Sequence, residues 1–257
     1  SRDAEARITL STGEKVRAAL VLAVDGRNSP LRKAAGISVT TRRFGQKALA
    51  FAVTHPIPHE NISTEIHRSG GPFTLVPLPD HQGMPSSAVV WMEAGPEAAR
   101  LMALPDDAFE DAINTRSCGL LGPLKLASQR TLWPIISQIA ERLSAQRLAL
   151  IAEAAHVVPP IGAQGLNMSL ADIQTLCTLA QAHPESLGSQ DMLAAYHRAR
   201  IGDIRTRVAG ISLLNQASMA DPQMLRDLRA RGLDALHGIV PVRRALMHLG
   251  LGAKNQS

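Results

Sequence analysis

The residues Leu148-Ala149-Leu150-Ile151-Ala152-Glu153-Ala154-Ala155-His156, followed by Pro159-Pro160-Ile161-Gly162-Ala163-Gln164-Gly165-Leu166-Asn167, decide how this chain folds. From Arg147 to Ala152 the run is nearly all apolar and does not alternate, the pattern of a buried strand covered on both faces. After the Gly/Pro-rich loop, Leu166, Leu170, Ile173, Cys177 and Ala180 recur with a period of 3.6 and predict a helix. In an open α/β sheet, ligands bind beyond the carboxyl ends of the strands. Glu153, just past the strand, is placed to accept hydrogen bonds from sugar hydroxyls. Gly162 and Gly165 permit close backbone approach, and a helix start offers unpaired N–H groups and a positive dipole end, which suit a phosphate or an electron-rich ring edge. A plain connector capped by Asn167 is the other reading of the same residues, and the residues alone leave both open.

The same texture occurs near the N-terminus. Arg7 to Leu10 alternates, Ser11-Thr12-Gly13-Glu14 reads as a turn, and the chain climbs into Leu20-Val21-Leu22-Ala23-Val24, a second apolar run expected to be a buried strand. Asp25-Gly26 ends it, either as a ligand contact at the strand end or as a local Asx turn. Ser29-Pro30 then signals an N-cap and first helical position, and Gly36 a stop. Between them lies a different region. Ala48 to Thr54, Thr64 to His67, Phe73 to Leu78, Ser87 to Met92 and Gln129 to Trp133 are short β-rich runs, with a helical pair between Pro96 and Asn114. From about Met192 the chain reads as helical, with breaks at Gly210, Asp221-Pro222, Gly238 and Pro241.

Composition narrows the function classes. The 257 residues are 45% apolar, enough for a substantial core, and 27 Lys and Arg against 22 Asp and Glu leave a formal +5. The excess is C-terminal: from Ala195 to Ser257 ten basic residues face four acidic ones. Such a patch suits phosphates or an anionic membrane surface. Aromatic residues are only 3%, too few for base-stacking platforms, so no nucleic-acid partner is expected. Two distant cysteines, Cys118 and Cys177, argue against a disulfide framework and for a reducing, cytoplasmic setting, and both read as core residues. No run is long enough to span a bilayer. His55 and His59 are separated by prolines that forbid a shared helical face, so a surface loop is expected there and no metal site. His156 reads as either a base or a loop-shaping residue, and Tyr196 and Arg200, one helical turn apart, as a packing pair.

Two of these stretches carry a resemblance. Leu22 to Arg32 resembles the Asp-Gly motif of class A flavoprotein aromatic monooxygenases, and Leu150 to Asn167 with Leu170-Ala171-Asp172 resembles their Gly-Asp motif. The wording Pro-Pro-Ile-Gly-Ala-Gln-Gly-Leu-Asn, Phe44-Gly45-Gln46, Gly71-Pro72 with Pro77-Leu78, Val90-Trp91 and the Tyr196 to Arg200 pair are similar to the ubiquinone-biosynthesis hydroxylases within that class. Two departures stand out: Ala152-Glu153 replaces the usual Gly-Asp, and Ala23-Val24 the usual Gly-Ala.

The resemblance implies an α/β fold in which the second part of an FAD-binding domain (1–40 and 134–190) is interrupted by a mostly antiparallel β-sheet substrate domain (41–133) and followed by a C-terminal helical region (191–257). It implies FAD as cofactor, NAD(P)H as co-substrate and hydroxylation of a polyprenyl-phenol ring. It places Asp25, Gly26, Glu153, Pro160, Gly162, Ala163, Gln164, Gly165, Leu166 and Asn167 beside the cofactor. A ubiquinone-biosynthesis assembly, an oligomer and a peripheral site on the inner membrane surface are the expected partners and location. The family carries a Gly-x-Gly-x-x-Gly near its N-terminus, and none occurs in these 257 residues, so the chain reads as starting after that element. A fragment or subunit that binds substrate or partner without FAD is the alternative.

Overall fold

The N-terminal alternation forms a hairpin, β1 (Ala6–Thr9) and β2 (Lys15–Ala18), closed at Gly13 with φ +86°. In this computed structural model residues 5–68, 70–161 and 164–219 are described. The chain continues through β3 (Val21–Ala23), α1 (Pro30–Ala34), β4 (Val39–Thr54), β5 (Thr64–Arg68), β6 (Gly71–His81) and β7 (Met84–Ala94). Then come α2 (Gly95–Met102), α3 (Asp106–Ser117), β8 (Lys125–Leu126), β9 (Thr131–Ala140), β10 (Ser144–Ala145) and β11 (Leu148–Leu150). A 3-10 turn, Ala152–Ala154, leads to β12 (His156–Val157), α4 (Gln164–Ala182) and α5 (Gln190–Ser218). Two compact units result, one holding residues 5–42 and 136–213 of the described chain, the other 43–135 and 214–219.

In the first unit β3 and β11 run parallel, with Ala23 beside Leu150, and β10 adds an antiparallel edge. Its core gathers Ala23, Leu148 and Leu150 with Met168, Leu176, Leu193, Tyr196 and Ile204 from α4 and α5. In the second unit the antiparallel order is β9-β4-β7-β6-β5, with β8 also on β4. Leu49, Phe51 and Val53 alternate inward along β4 and meet Trp91, Leu101, Phe109 and Ile113. The β6–β7 hairpin turns on Gln82 and Gly83, at φ +53° and +79°, the two positive-φ positions that match strand twist.

Several expectations need correction. The apolar run at Leu20–Val24 yields only a three-residue strand, with Leu22 48% and Val24 60% exposed, because β3 is the sheet edge and pairs on one side alone. Helix α4 forms, yet its periodic stripe Leu166, Leu170, Ile173 and Cys177 is exposed, while Met168, Asp172 and Leu176 are buried. Both cysteines are exposed. Helix α5 passes through Gly210 unbroken, since Ile204, Val208 and Ile211 bury along one side. His55, expected in a surface loop, is 1% exposed and bonds Ile57 O and Ser87 Oγ. The expected breaks at Asp221-Pro222, Gly238 and Pro241 lie outside the described residues.

Candidate cofactor site

Parallel strands end on the same side of a sheet, so pairing β3 with β11 brings the segments after Ala23 and after Leu150 together. Arg32 joins them. Ser29 caps α1 by accepting from the Arg32 N–H at 2.9 Å, and the guanidinium, 3% exposed, donates to Ala154 O at 2.8 Å and to Arg27 O at 2.9 Å. Asp25 Oδ2 accepts the Leu31 N–H at 3.0 Å, which restrains the same helix start. Burial works to raise Asp25, but hydrogen bonds from Ser29 and Leu31 and the charge of Arg32 outweigh it and hold the carboxyl below its ordinary range. Gly26 follows at φ +80°, where glycine alone is unstrained.

Glu153 projects from the 3-10 turn with its side chain 51% exposed, and its carboxylate pairs with Arg27 at 3.4 Å. The residue before it, Ala152, has φ +56°, a left-handed conformation that favours glycine. The Ala152 N–H donates to Asp172 Oδ2 at 3.2 Å. Asp172, fully buried on α4, also holds His156 Nε2 at 2.7 Å and Arg200 Nε at 2.8 Å. Arg200 reaches on to Asp203 and to Met168 O, and the Tyr196 hydroxyl donates to Leu150 O at 2.8 Å. Burial, reinforced by Asp172, pushes the Tyr196 phenol up, so it stays protonated as a donor. This network pins strand end, turn and helix to one another. His156 is thus a loop-shaping residue, and Tyr196 and Arg200 bond to β11 and α4 and not simply to each other.

Of the other expected residues, Pro160 is exposed, Gln164 Oε1 accepts from Arg207 at 3.1 Å, Gly165 and Asn167 are half-buried, and Leu166 is 68% exposed. Gly162 and Ala163 lie outside the described residues. Sequence reasoning misses Arg27, Arg32 and Asp172 as site residues. Arg32 and Asp172 stand within the very stretches that decide the fold, but nothing local marks them as partners of residues more than a hundred and about twenty positions away. An accessible carboxylate on a turn at a strand end, with a cation beside it and a helix start nearby, fits the hydroxyls of a sugar or ribityl chain. The left-handed backbone at Ala152 shows that the turn closes without the usual glycine.

The sequence matches the FAD binding domain family over residues 2–210. This chain belongs to that family. Among curated proteins, the FAD-binding chain is 32% identical over 247 residues to the ubiquinone hydroxylase UbiL of Rhodospirillum rubrum, covering 95% of this chain and 57% of that protein. It is 28% identical over 278 residues to the human mitochondrial ubiquinone biosynthesis monooxygenase COQ6, covering 93% of this chain and 58% of the relative. The chain therefore spans somewhat more than half the length of these relatives. Among solved structures, the Diels-Alderase PyrE3 of pyrroindomycin biosynthesis shares its fold at a TM-score of 0.78 and 22% identity, over 99% of this chain and 54% of that one. The p-nitrophenol 4-monooxygenase PnpA of Pseudomonas putida gives 0.77 and 17%, over 99% and 65%.

Proposed function

We propose that this FAD-binding chain serves a monooxygenase that hydroxylates a polyprenyl-phenol ring in ubiquinone biosynthesis, using NAD(P)H and O2. The single observation that carries the reading is the Arg32 bridge, which sets the Asp25 and Glu153 segments side by side at the carboxyl ends of two parallel strands. The names of the relatives supply the substrate class. FAD, when bound, supplies the redox chemistry of oxygen insertion. The chain's residues bind and orient: Glu153 accepts from cofactor hydroxyls, Asp25 and Gly26 shape the neighbouring turn, and Pro160 to Asn167 stand beside the flavin. Residues 41–133 are the proposed substrate-binding part, where Ala50, Ala52 and Thr54 lie half-buried on the β4 face opposite Leu49, Phe51 and Val53.

Glu153→Ala tests the site. A hydrogen bond to a charged group contributes about 1.5–3 kcal/mol, so FAD should bind roughly tenfold to a hundredfold more weakly than to the parent chain. Unchanged affinity in a flavin titration refutes the assignment. A second reading is a fragment or subunit of such a hydroxylase that binds substrate or partner without FAD. Flavin absorbance of the purified chain separates the two.

We also place the protein in the cytoplasm as a peripheral membrane protein, in a ubiquinone-biosynthesis assembly or an oligomer. No helix among the described residues is long and apolar enough to cross a membrane. The basic C-terminal stretch with Ile239, Val242, Leu246, Leu249 and Leu251, outside the described residues, is the proposed anchor. Each basic residue near an anionic surface adds about 1 kcal/mol. Flotation should recover the protein with anionic liposomes and not with neutral ones; equal recovery with both, or none, ends the idea.

A further inference from the structure

Gln46, Pro72 and Val90, from stretches that the sequence singles out, share one face of the antiparallel sheet, and the cofactor site uses none of them. Strand pairing sets Glu65, Thr74, Val90 and Ala50 in one row across β5, β6, β7 and β4. Ile66, Phe73, Trp91 and Leu49 form the next row, on the opposite face. Helices α2 and α3 cover the Ile66 face through Ala98, Leu101, Phe109 and Ile113. On the other face Thr74, Val90 and Ala50 are half-buried and uncharged. At the β5 end of that row His67 Nε2 and Glu65 Oε1 stand 2.8 Å apart, with side chains 36% and 26% exposed.

A carboxylate only accepts, so the neutral imidazole carries its proton on Nε2, toward Glu65, and keeps the Nδ1 lone pair as an acceptor. The neighbouring strand brings no charge to this pair: among the described residues β5 pairs with β6 alone, where Pro72 and Thr74 stand opposite His67 and Glu65. Arg116 of α3 and Glu93 of β7 belong to the Ile66 face, Arg116 donating to Ile66 O and Glu93 accepting the Trp91 indole N–H at 3.1 Å. A second polar group points to the same kind of ligand. Gly70, in the turn that joins β5 to β6, has a carbonyl that can only accept, so it fixes the Gln46 amide with Nε2 toward it at 2.9 Å and Oε1 toward Asn215 Nδ2 at 2.8 Å. Asn215 is fully buried, and its Oδ1, left over by this relay, meets no donor among the described residues. Two acceptors beside an uncharged row suit a ligand that brings hydroxyl donors on an apolar body.

We propose that His67, oriented by Glu65, accepts the hydroxyl proton of a phenol bound on this face. The proposal rests on the hydroxylase reading and names the residues that recognise the hydroxyl of the ring. In the step the phenol O–H bond breaks as the Nδ1–H bond forms, the phenolate keeps the electron pair, and the Glu65 carboxylate holds the imidazolium. A ring whose hydroxyl is blocked as an ether has no proton to give and is not recognised.

The test uses the whole chain with 4-nitrophenol, whose anion has its own visible absorption band, and 4-nitroanisole, which lacks the hydroxyl. At a pH just below that at which the free phenol ionises, bound 4-nitrophenol should show the anion band, and 4-nitroanisole should bind roughly tenfold more weakly. His67→Gln should abolish the band, and Glu65→Gln should weaken binding about tenfold. His183→Gln, which alters the exposed His183–Glu185 pair, should change neither. Circular dichroism of each variant reports folding, and both residues of the pair, partly exposed on an edge strand, tolerate replacement. No binding, binding without the anion band, or a band that survives His67→Gln or falls equally in His183→Gln overturns the proposal. Flavin titration of the same preparations reads the cofactor site on its own: normal FAD binding with no anion band sinks the His67 assignment and spares the hydroxylase reading, and an anion band without FAD binding does the reverse.

Discussion

Ala152 shows how one residue carries the local cost of a functional turn. A non-glycine residue at φ +56° is strained by about 1 kcal/mol or somewhat more, and glycine there would relieve it while gaining freedom in the unfolded chain. The two effects oppose each other, so Ala152→Gly should raise stability by only about 0.5 kcal/mol, read from the urea midpoint. The Ala152 N–H leans on Asp172, and that carboxylate matters far more to stability. Asp172→Ala would take from the buried Arg200 cation its buried carboxylate, leaving it the half-exposed Asp203, and would remove the partner of His156, which places the expected loss at about 3 kcal/mol in the same measurement. A loss under about 1 kcal/mol would show that the network is ornamental.

Helix α4 shows the same contest at the scale of an element. By sequence, its apolar positions Leu166, Leu170 and Ile173 are the natural buried face, and by structure they are exposed, while Met168 and Leu176 pack in the core. Asp172 lies on the buried side, hydrogen-bonded to His156 and ion-paired to Arg200. Paired substitutions separate the faces. Leu170→Ser should change stability by about 0.5 kcal/mol or less, as exposed replacements do. Leu176→Ala should cost about 2–5 kcal/mol through lost burial and a cavity. Thermal midpoints that fall equally for both would place the helix differently. The exposed apolar residues of α4, with Leu22 on β3 and Val24 just past it, also mark surface that a monomeric domain usually covers.

For the whole molecule, acid stability follows from the carboxylates held low. Burial works to raise Asp203, but its hydrogen bonds and ion pairs to Arg207 and Arg200 prevail and lower it, and Asp25 is lowered likewise. A depressed folded-state value means stabilisation that is fully present above the unfolded value, near pH 4, and lost as pH falls below it. The urea midpoint should therefore drop between pH 5 and pH 3. In Asp203→Asn that acid drop should be smaller; an identical drop removes Asp203 from the account. Cofactor binding gives the second expectation at this scale. Without a Gly-x-Gly-x-x-Gly turn to cradle the pyrophosphate, the 257 residues alone should hold FAD weakly, and a chain that purifies yellow with one FAD per molecule would show that other residues grip it.

Much of this protein is legible in its residues alone. Ser29-Pro30 and Gly36 mark α1 because capping and φ preferences act within a few residues, and β5 to β7 with α2 and α3 follow from local alternation and turn residues. The two strand-end motifs are recognisable for the same reason: a turn between strand and helix makes demands that neighbouring residues alone satisfy. Burial is a different matter. Periodicity says that a helix has an apolar side but not whether another element arrives to cover it, and so Leu166, Leu170, Cys177, Leu22 and Val24 read as buried and are not. The site's bonding is hidden too. Arg32 finds Ala154 and Asp172 finds Arg200 only once β3 and β11 lie side by side and α5 returns across α4, because a hydrogen bond needs atoms within about 3 Å and sequence order does not specify which distant segments come that close.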